Sequence, residues 1–359
     1  MQKKLIAMAI AGMIAAPAFA QSNVTVYGII DTFVGLGKAG DAKFSGVANG
    51  VLNGPRIGFK GSEDLGNGLK AVFTLEQGFS SDDGEPNSSK QFHRQAWVGL
   101  EGGFGFIGLG RQYSPGYFSF RNDAIAAGAL DPHAILAGGG LQIDAATDSR
   151  WDNSVAFQSK SYGGFNARVV YAFGATESDN SSTDVLNTKG AKNPNRNNDD
   201  RIGLGLNYAN GPLNVDYIYV DAGDTTPGDD HKEHYLGGGY DFGSFKLVGS
   251  YQTASFDANN SDIKVYQLGA IVPVGNGNIH VAYGARKQDA KDTDSRSFGL
   301  AYTHNLSKRT IAYVGVNRTS NDDEVLRGAL VSASKAGDAN WSEKGESSTA
   351  FGVGIRHAF

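Results

Sequence analysis

The side chains able to do chemistry are scattered. Seven histidines stand at positions 93, 133, 231, 234, 280, 304 and 357, and the chain has no cysteine. A covalent mechanism needs a nucleophile with a base in reach. None of the histidines sits in a recognisable nucleophile motif, and both Gly-x-Ser-x-Gly and a P-loop are absent. Gly203-Leu204-Gly205 lacks the third glycine of a dinucleotide fingerprint and opens an extended segment rather than a helix. His231 and His234 are three apart, which on a strand puts them on opposite faces, away from a shared metal. Asn193 to Asp200 is rich in Asn and Asp but lacks the spaced acidic ligands of a calcium loop, so it reads as a hydrated loop. The expectation is therefore no enzyme activity, no cofactor and no metal. Fixed charge remains. Arg56 and Lys60 are four apart in an alternating segment and share the side opposite Ile57 and Phe59. Such charges act on ions rather than on bonds.

The elements that must carry these charges show a period of two. Phe165, Ala167, Val169 and Tyr171 alternate with Asn166 and Arg168; Ile202, Leu204, Leu206 and Tyr208 with Arg201, Gly203, Gly205 and Asn207; Phe351, Val353, Ile355 and Phe359 with Gly352, Gly354 and Arg356. Alternation over such lengths indicates strands with one apolar face. About sixteen such segments lie near 23–37, 54–62, 68–80, 91–101, 104–111, 150–160, 164–174, 200–210, 213–221, 233–243, 245–256, 262–274, 277–288, 294–306, 309–319 and 346–359. In 95–111 and 262–274 the alternation is too mixed to assign faces. Short Gly/Asn turns such as Gly66-Asn67-Gly68 and Gly275-Asn276-Gly277 have hairpin chemistry. They alternate with longer polar connections at 38–53, 81–90, 112–149, 175–199, 222–232, 257–261, 289–293 and 320–345.

Short turns at one end and long loops at the other are the pattern of an antiparallel transmembrane β-barrel, apolar outside and polar within. A soluble sandwich also alternates, but it would turn its apolar face inward. Here the polar faces carry Arg, Lys, Asp and many glycines, which suit a wet lumen, and Tyr and Phe gather near strand ends. The N-terminus supports export. Lys3 and Lys4, the apolar run Leu5 to Ala16 and Ala18-Phe19-Ala20 form a signal peptide over 1–20, leaving a barrel over 21–359. Losing Lys3 and Lys4 takes the formal charge from −5 to −7, so nucleic acid is not an expected partner. Glycine, 50 of 359 residues, is about twice its usual share, without the period of a fibrous repeat.

Several stretches resemble the general trimeric porins of Gram-negative outer membranes. Gly54-Pro55-Arg56-Ile57-Gly58-Phe59-Lys60-Gly61-Ser62-Glu63-Asp64-Leu65-Gly66 is similar to their second strand and first turn, and Leu69 to Phe79 to the third strand. Arg94 to Leu100 and Gly108 to Tyr113 are similar to the fourth and fifth, Arg150 to Val155 to the start of the sixth, and Gly354 to Phe359 to the ending. The resemblance covers the whole chain after the leader. It implies sixteen strands, a homotrimer in outer-membrane lipid, and passive diffusion of ions and small hydrophilic solutes. It further implies that the third loop, 112–149, folds into the lumen and faces a basic wall made of Arg56, Lys60, Arg94 and Arg150, with Arg111 where the loop begins. Asp123 and Asp131 are the candidate loop acids, with Asp144 and Asp148 as later options. Four or more basic groups facing few acids point to a slight anion preference. Phe359, a terminal aromatic on an amphipathic strand, is the expected signal for the barrel-assembly machinery. Other readings are a substrate-specific channel, an adhesin or small structural barrel, and an outer-membrane hydrolase. About sixteen strands fit a water-filled channel better than a small barrel.

Overall fold

Alternating side chains settle into a sheet only when each row finds its own medium, and here the apolar row faces outward. The computed structural model describes residues 23–125, 128–138, 140–145, 149–174, 200–223, 231–257, 261–329 and 344–359. The leader, Asp148 and nearly all of the stretch 193–200 lie outside these residues. The extended segments are β1 (Asn23–Ala39), β2 (Ala42–Asn49), β3 (Arg56–Gly66), β4 (Leu69–Gly78), β5 (Gln95–Gly102), β6 (Gly105–Tyr113), β7 (Arg150–Gln158), β8 (Phe165–Ala172) and β9 (Arg201–Asn210). They continue as β10 (Leu213–Asp221), β11 (His231–Asp241), β12 (Lys246–Phe256), β13 (Ser261–Val274), β14 (Gly277–Gln288), β15 (Ser295–Asn305), β16 (Thr310–Asn321) and β17 (Ser348–Ala358).

Neighbours pair antiparallel around the sheet, and β17 pairs with β1 from Ile29↔Ala358 to Ala39↔Ser348, which closes it. β1 pairs with β2 over Thr32 to Ala39 and with β3 over Asn23 to Ile29. β2 and β3 are therefore two halves of one barrel strand, and the seventeen segments make a closed sixteen-stranded barrel. Closure leaves no unpaired edge in lipid.

The faces are inverted relative to a soluble protein. Val98 is 57% exposed and Leu268 64%, whereas Gln112, Asp216, Glu233, Gln252 and Asn317 are buried inside. Aromatic rings cluster where strands meet the short turns, as in Tyr240–Phe242–Phe245 and Phe165–Tyr208. Such clusters suit a membrane interface. Within β13 the mixed pattern has a cause. Tyr266 and Leu268 face out, while Ile263 and Val265 are also buried, packed on loop residues Leu136, Ala137 and Leu141. A strand apolar on both faces loses its alternation.

The expected loop at 38–53 is corrected by the structure. Only Gly40 and Asp41 turn the chain, and β2 runs on to Asn49. The real break is at 50–55, where Gly50 adopts φ +88°. Asp31 holds the break in place by accepting hydrogen bonds from the Leu52 and Asn53 amides at 2.8 and 2.6 Å. Val51 and Leu52 then point into the lumen and pack with Ala124, Ile125 and Leu130 of the third loop. Sequence reading missed β2 because Phe44, Gly46 and Ala48 form a weak second row beside Val47.

That inward break supports the third loop. It contains a 3₁₀ helix (Pro115–Asn122) and the helix α1 (Pro132–Ala137), and it packs on the inner wall from β8 to β15. Gly128 crosses so close to the break that a Cβ there would lie 1.4 Å from the Val51 carbonyl oxygen. Gly128→Ala is therefore expected to displace the loop, at a cost of at least about 1–3 kcal/mol for overpacking. A lowered heat-modification temperature on a gel is the expected result.

Candidate functional site

The basic cluster is built by strand register. The turn at Gly66–Gly68 pairs Arg56 with Gly78 and Gly58 with Glu76, which brings Glu76 diagonally beside Arg56 on the inner face. Arg56 Nη1 lies 4.0 Å from Glu76 Oε1. Arg94, just before β5, donates from Nε to the same oxygen at 2.7 Å. Tyr113 donates its hydroxyl to Oε1 at 3.1 Å, and Tyr27 donates to Oε2 at 2.9 Å. Gly78 leaves the space: a Cβ there would meet the His93 ring at 2.9 Å. Glu76 is thus enclosed by two arginines and two tyrosines.

Arg150 opens β7 and lies 5.1 Å from the ring centroids of both Tyr113 and Tyr117. Those rings stack with centroids 3.6 Å apart, which couples the wall to the 3₁₀ helix of the loop. The potential here is positive. Burial raises the Tyr117 phenol pKa, but Arg56, Arg150 and Arg94 outweigh it and leave the value lowered. His93 is pushed down to about 4 by burial and then by Arg94, Arg150 and Arg111, so it stays neutral near neutral pH.

The structure thus brings Arg56, Arg94 and Arg150 together, with Arg111 bordering them and Lys60 farther along β3. Arg111 donates to the His93 and Arg150 carbonyls and, at 2.6 Å, to Asp152 Oδ1, which engages its guanidinium among neighbouring backbones. Lys60 stands nearer the short turn, 5.2 Å over the Tyr27 ring. Sequence reading did not single out Glu76, Tyr113 or Tyr117. For Glu76 a partial signal existed: the hairpin turn at Asn67 sets β3 against β4, and a register shift between Asp64 and Gly66 completes the pairing of Gly58 with Glu76.

Both candidate acids lie in the seam between loop and wall instead of at the opening. Asp131 is fully buried and caps α1, accepting from the His133, Ala134 and Ile125 amides at 2.8, 3.3 and 3.1 Å. Asp123 accepts from Gln267 Nε2 at 3.2 Å and faces His133 Nδ1 at 3.1 Å. Asp144 is also fully buried, beside Ser149. Asp131 follows the chemistry of an N-cap before Pro132.

His133 links this seam to the wall. Burial lowers its pKa most strongly, but the charge and hydrogen bond of Asp123, with Asp131 and Gln252 behind them, together outweigh it and raise the group to about 9. Burial and then the Asp123 charge push the Asp131 carboxyl up to about 7. His133 Nε2 lies 3.2 Å from Gln252 Oε1, and Gln252 donates onward to Glu233 Oε2 at 2.9 Å. A raised histidine pKa stabilises the fold fully below its unfolded value near 6.5 and ceases to do so as pH climbs through about 9. His133→Gln is expected to cost about 3–5 kcal/mol near pH 6, because it strands the buried Asp123. The gap in heat-modification temperature between wild type and variant should narrow as pH rises past about 9. A gap independent of pH would remove the ion pair.

The histidines of β11 separate as their spacing requires. His231 lies inside, 2.6 Å from Glu233 Oε1, and His234 meets the Tyr217 hydroxyl on the outer face. Phe359 finishes the closing strand through reciprocal backbone bonds with Gly28, each 3.1 Å, and its ring lies where a Cβ on Gly28 would fall.

A sheet closed in this way, with charges converging inside it, has clear counterparts. The profile of Gram-negative porins matches residues 6–324. Outer membrane porin protein 32 of Delftia acidovorans is 35% identical over the full length of both chains. An outer membrane porin protein of Bordetella pertussis is 32% identical, again over the full length of both. Among solved structures, an anion-selective porin from Comamonas acidovorans superposes with a TM-score of 0.75 at 30% identity, covering 94% of this chain and all of that one. These relatives are named as porins rather than enzymes. The chain belongs to the Gram-negative porin family and forms a β-barrel channel of the outer membrane.

Proposed function

We propose that this porin passes ions and small hydrophilic solutes by passive diffusion and favours anions slightly. One observation carries the preference: Arg56 and Arg94 share a single carboxylate, Glu76, so that pair keeps a surplus of positive charge. Arg150 adds to the positive potential beside them, at Tyr117. The loop acids that would offset it, Asp123, Asp131 and Asp144, are buried against the wall. Fixed charge at a constriction raises the local concentration of counter-ions. The similar porin from Comamonas acidovorans is described as anion-selective, which supports the same reading.

The family membership supports three further parts of this reading. The chain assembles as a homotrimer, residues 1–20 are a cleaved leader, and Phe359 is read by the barrel-assembly machinery. Purified protein in a planar bilayer should give stepwise conductance in multiples of three, with a zero-current potential of anion sign under a salt gradient. Unheated samples should run as trimers on a gel. Absence of steps from heat-modifiable protein would overturn the channel reading, and a monomer-sized unheated band the trimer.

A further inference from the structure

A second pair of cations lies on the short-turn side of the loop. Arg56, Arg94 and Arg150 stand where their strands leave the longer connections. Arg168 instead lies midway along β8, paired in register with Gln158, the last residue of β7. Phe118 of the 3₁₀ helix is held between two guanidinium groups, with Arg121 4.6 Å and Arg168 5.7 Å from its ring centroid. A partly open cleft lies here between the loop and β7–β10. Its walls are apolar at Pro115, Phe118 and Ile218 and carry amides at Asn166 and Asn207.

The charges in this cleft do not cancel. Asp216 is occupied: Asn122, Asn207 and Asn214 donate to it at 2.9, 2.9 and 2.8 Å, and Arg121 pairs with it at 3.3 Å. Among the described residues Arg168 donates to neutral acceptors, namely Gln158 Oε1, Gln112 Oε1 and the Tyr113 carbonyl, at 3.1, 3.3 and 2.8 Å. Its Nε is buried without a hydrogen-bond partner among them. A guanidinium at the edge of an apolar cleft, with an amide beside it, suits a carboxylate attached to a flat apolar body. The carboxylate gains Arg168, and the ring gains Phe118.

We propose that this cleft is a binding station for small aromatic carboxylates, passed after the basic cluster. The station rests on the open-channel reading above. Benzoate is the probe, with acetate and benzyl alcohol as controls that carry only one half of the chemistry. Benzoate should lower single-channel conductance saturably, at concentrations where acetate and benzyl alcohol do not. Arg168→Gln and Phe118→Leu should each raise the half-blocking concentration at least fivefold. Arg168 also supports the Tyr113 carbonyl, so Phe118→Leu keeps the test decisive if the first variant folds poorly. Equal block of wild type and folded Phe118→Leu would overturn the station, as would equal block by acetate or benzyl alcohol. A wild-type zero-current potential of cation sign would instead refute the anion preference while leaving the benzoate result to stand.

Discussion

Replacing Arg56, Arg94 and Arg150 together by glutamine is expected to lower the chloride-to-potassium permeability ratio by about tenfold and bring the channel to cation preference. In water each guanidinium ~8 Å from the ion path favours chloride and disfavours potassium by ~0.5 kcal/mol apiece, which screening at 0.1 M salt roughly halves, so three charges shift the ratio by ~1.5 kcal/mol, close to a factor of ten. At 0.1 M salt the Debye length is ~10 Å, so the shift shrinks at high ionic strength. The substitutions strand Glu76, whose carboxylate is nearly buried and relies on Arg94 at 2.7 Å. The quadruple variant that adds Glu76→Gln removes that charge as well. It should recover stability and settle near neutrality, between wild type and the triple variant. Glu76→Gln alone should raise anion preference. A triple variant with the wild-type zero-current potential would mean that these arginines do not set selectivity.

Releasing the loop is expected to have the second large effect. Glu233 is fully buried and gathers four donors: the Gln142 and Ile143 amides at 2.5 and 3.0 Å, Gln252 Nε2 at 2.9 Å and His231 Nε2 at 2.6 Å. It fixes the second half of the loop to β11 much as Gln267, Arg286 and Asn317 fix the first half through its carbonyls. Removing one partner from such a buried ionic network costs about 3–5 kcal/mol. Glu233→Ala should therefore raise mean conductance, increase open-channel noise and lower the heat-modification temperature. Glu233→Gln keeps one acceptor and should fall between. Quiet, wild-type conductance from correctly folded Glu233→Ala would show that this carboxylate does not hold the loop.

The barrel was legible because lipid rewards one rule over and over. Strands whose inner row is small or polar, such as β9 or β17, keep a clean alternation, even where Pro115 of the loop rests over Gly203 and Gly205. Legibility fails where the inner row itself turns apolar to hold the loop. β13 turns Ile263 and Val265 toward the loop, and Val51 and Leu52 leave the sheet altogether to support it. Arg56 was readable for the same reason as the strands, since it lies opposite Ile57 in a clean alternation, whereas Arg94 and Arg150 were implied by the family resemblance alone. The loop acids were not readable. Charge placed Asp123 and Asp131 at the opening, but neighbours distant in sequence decide their environment. Gln267, Gln252 and Arg286 come from strands more than a hundred residues away. Glu76 shows the intermediate case, where a short turn brought its strand beside β3 but nothing local marked the register shift after Asp64 or the carboxylate as the partner of Arg94.

The zero-current potential of the wild-type channel under a tenfold potassium chloride gradient reports the sign of the field inside the barrel. With Arg56 and Arg94 sharing one carboxylate and Arg150 beside them, chloride should cross more readily than potassium and leave the dilute side negative. A dilute side that turns positive would contradict a basic, anion-preferring constriction.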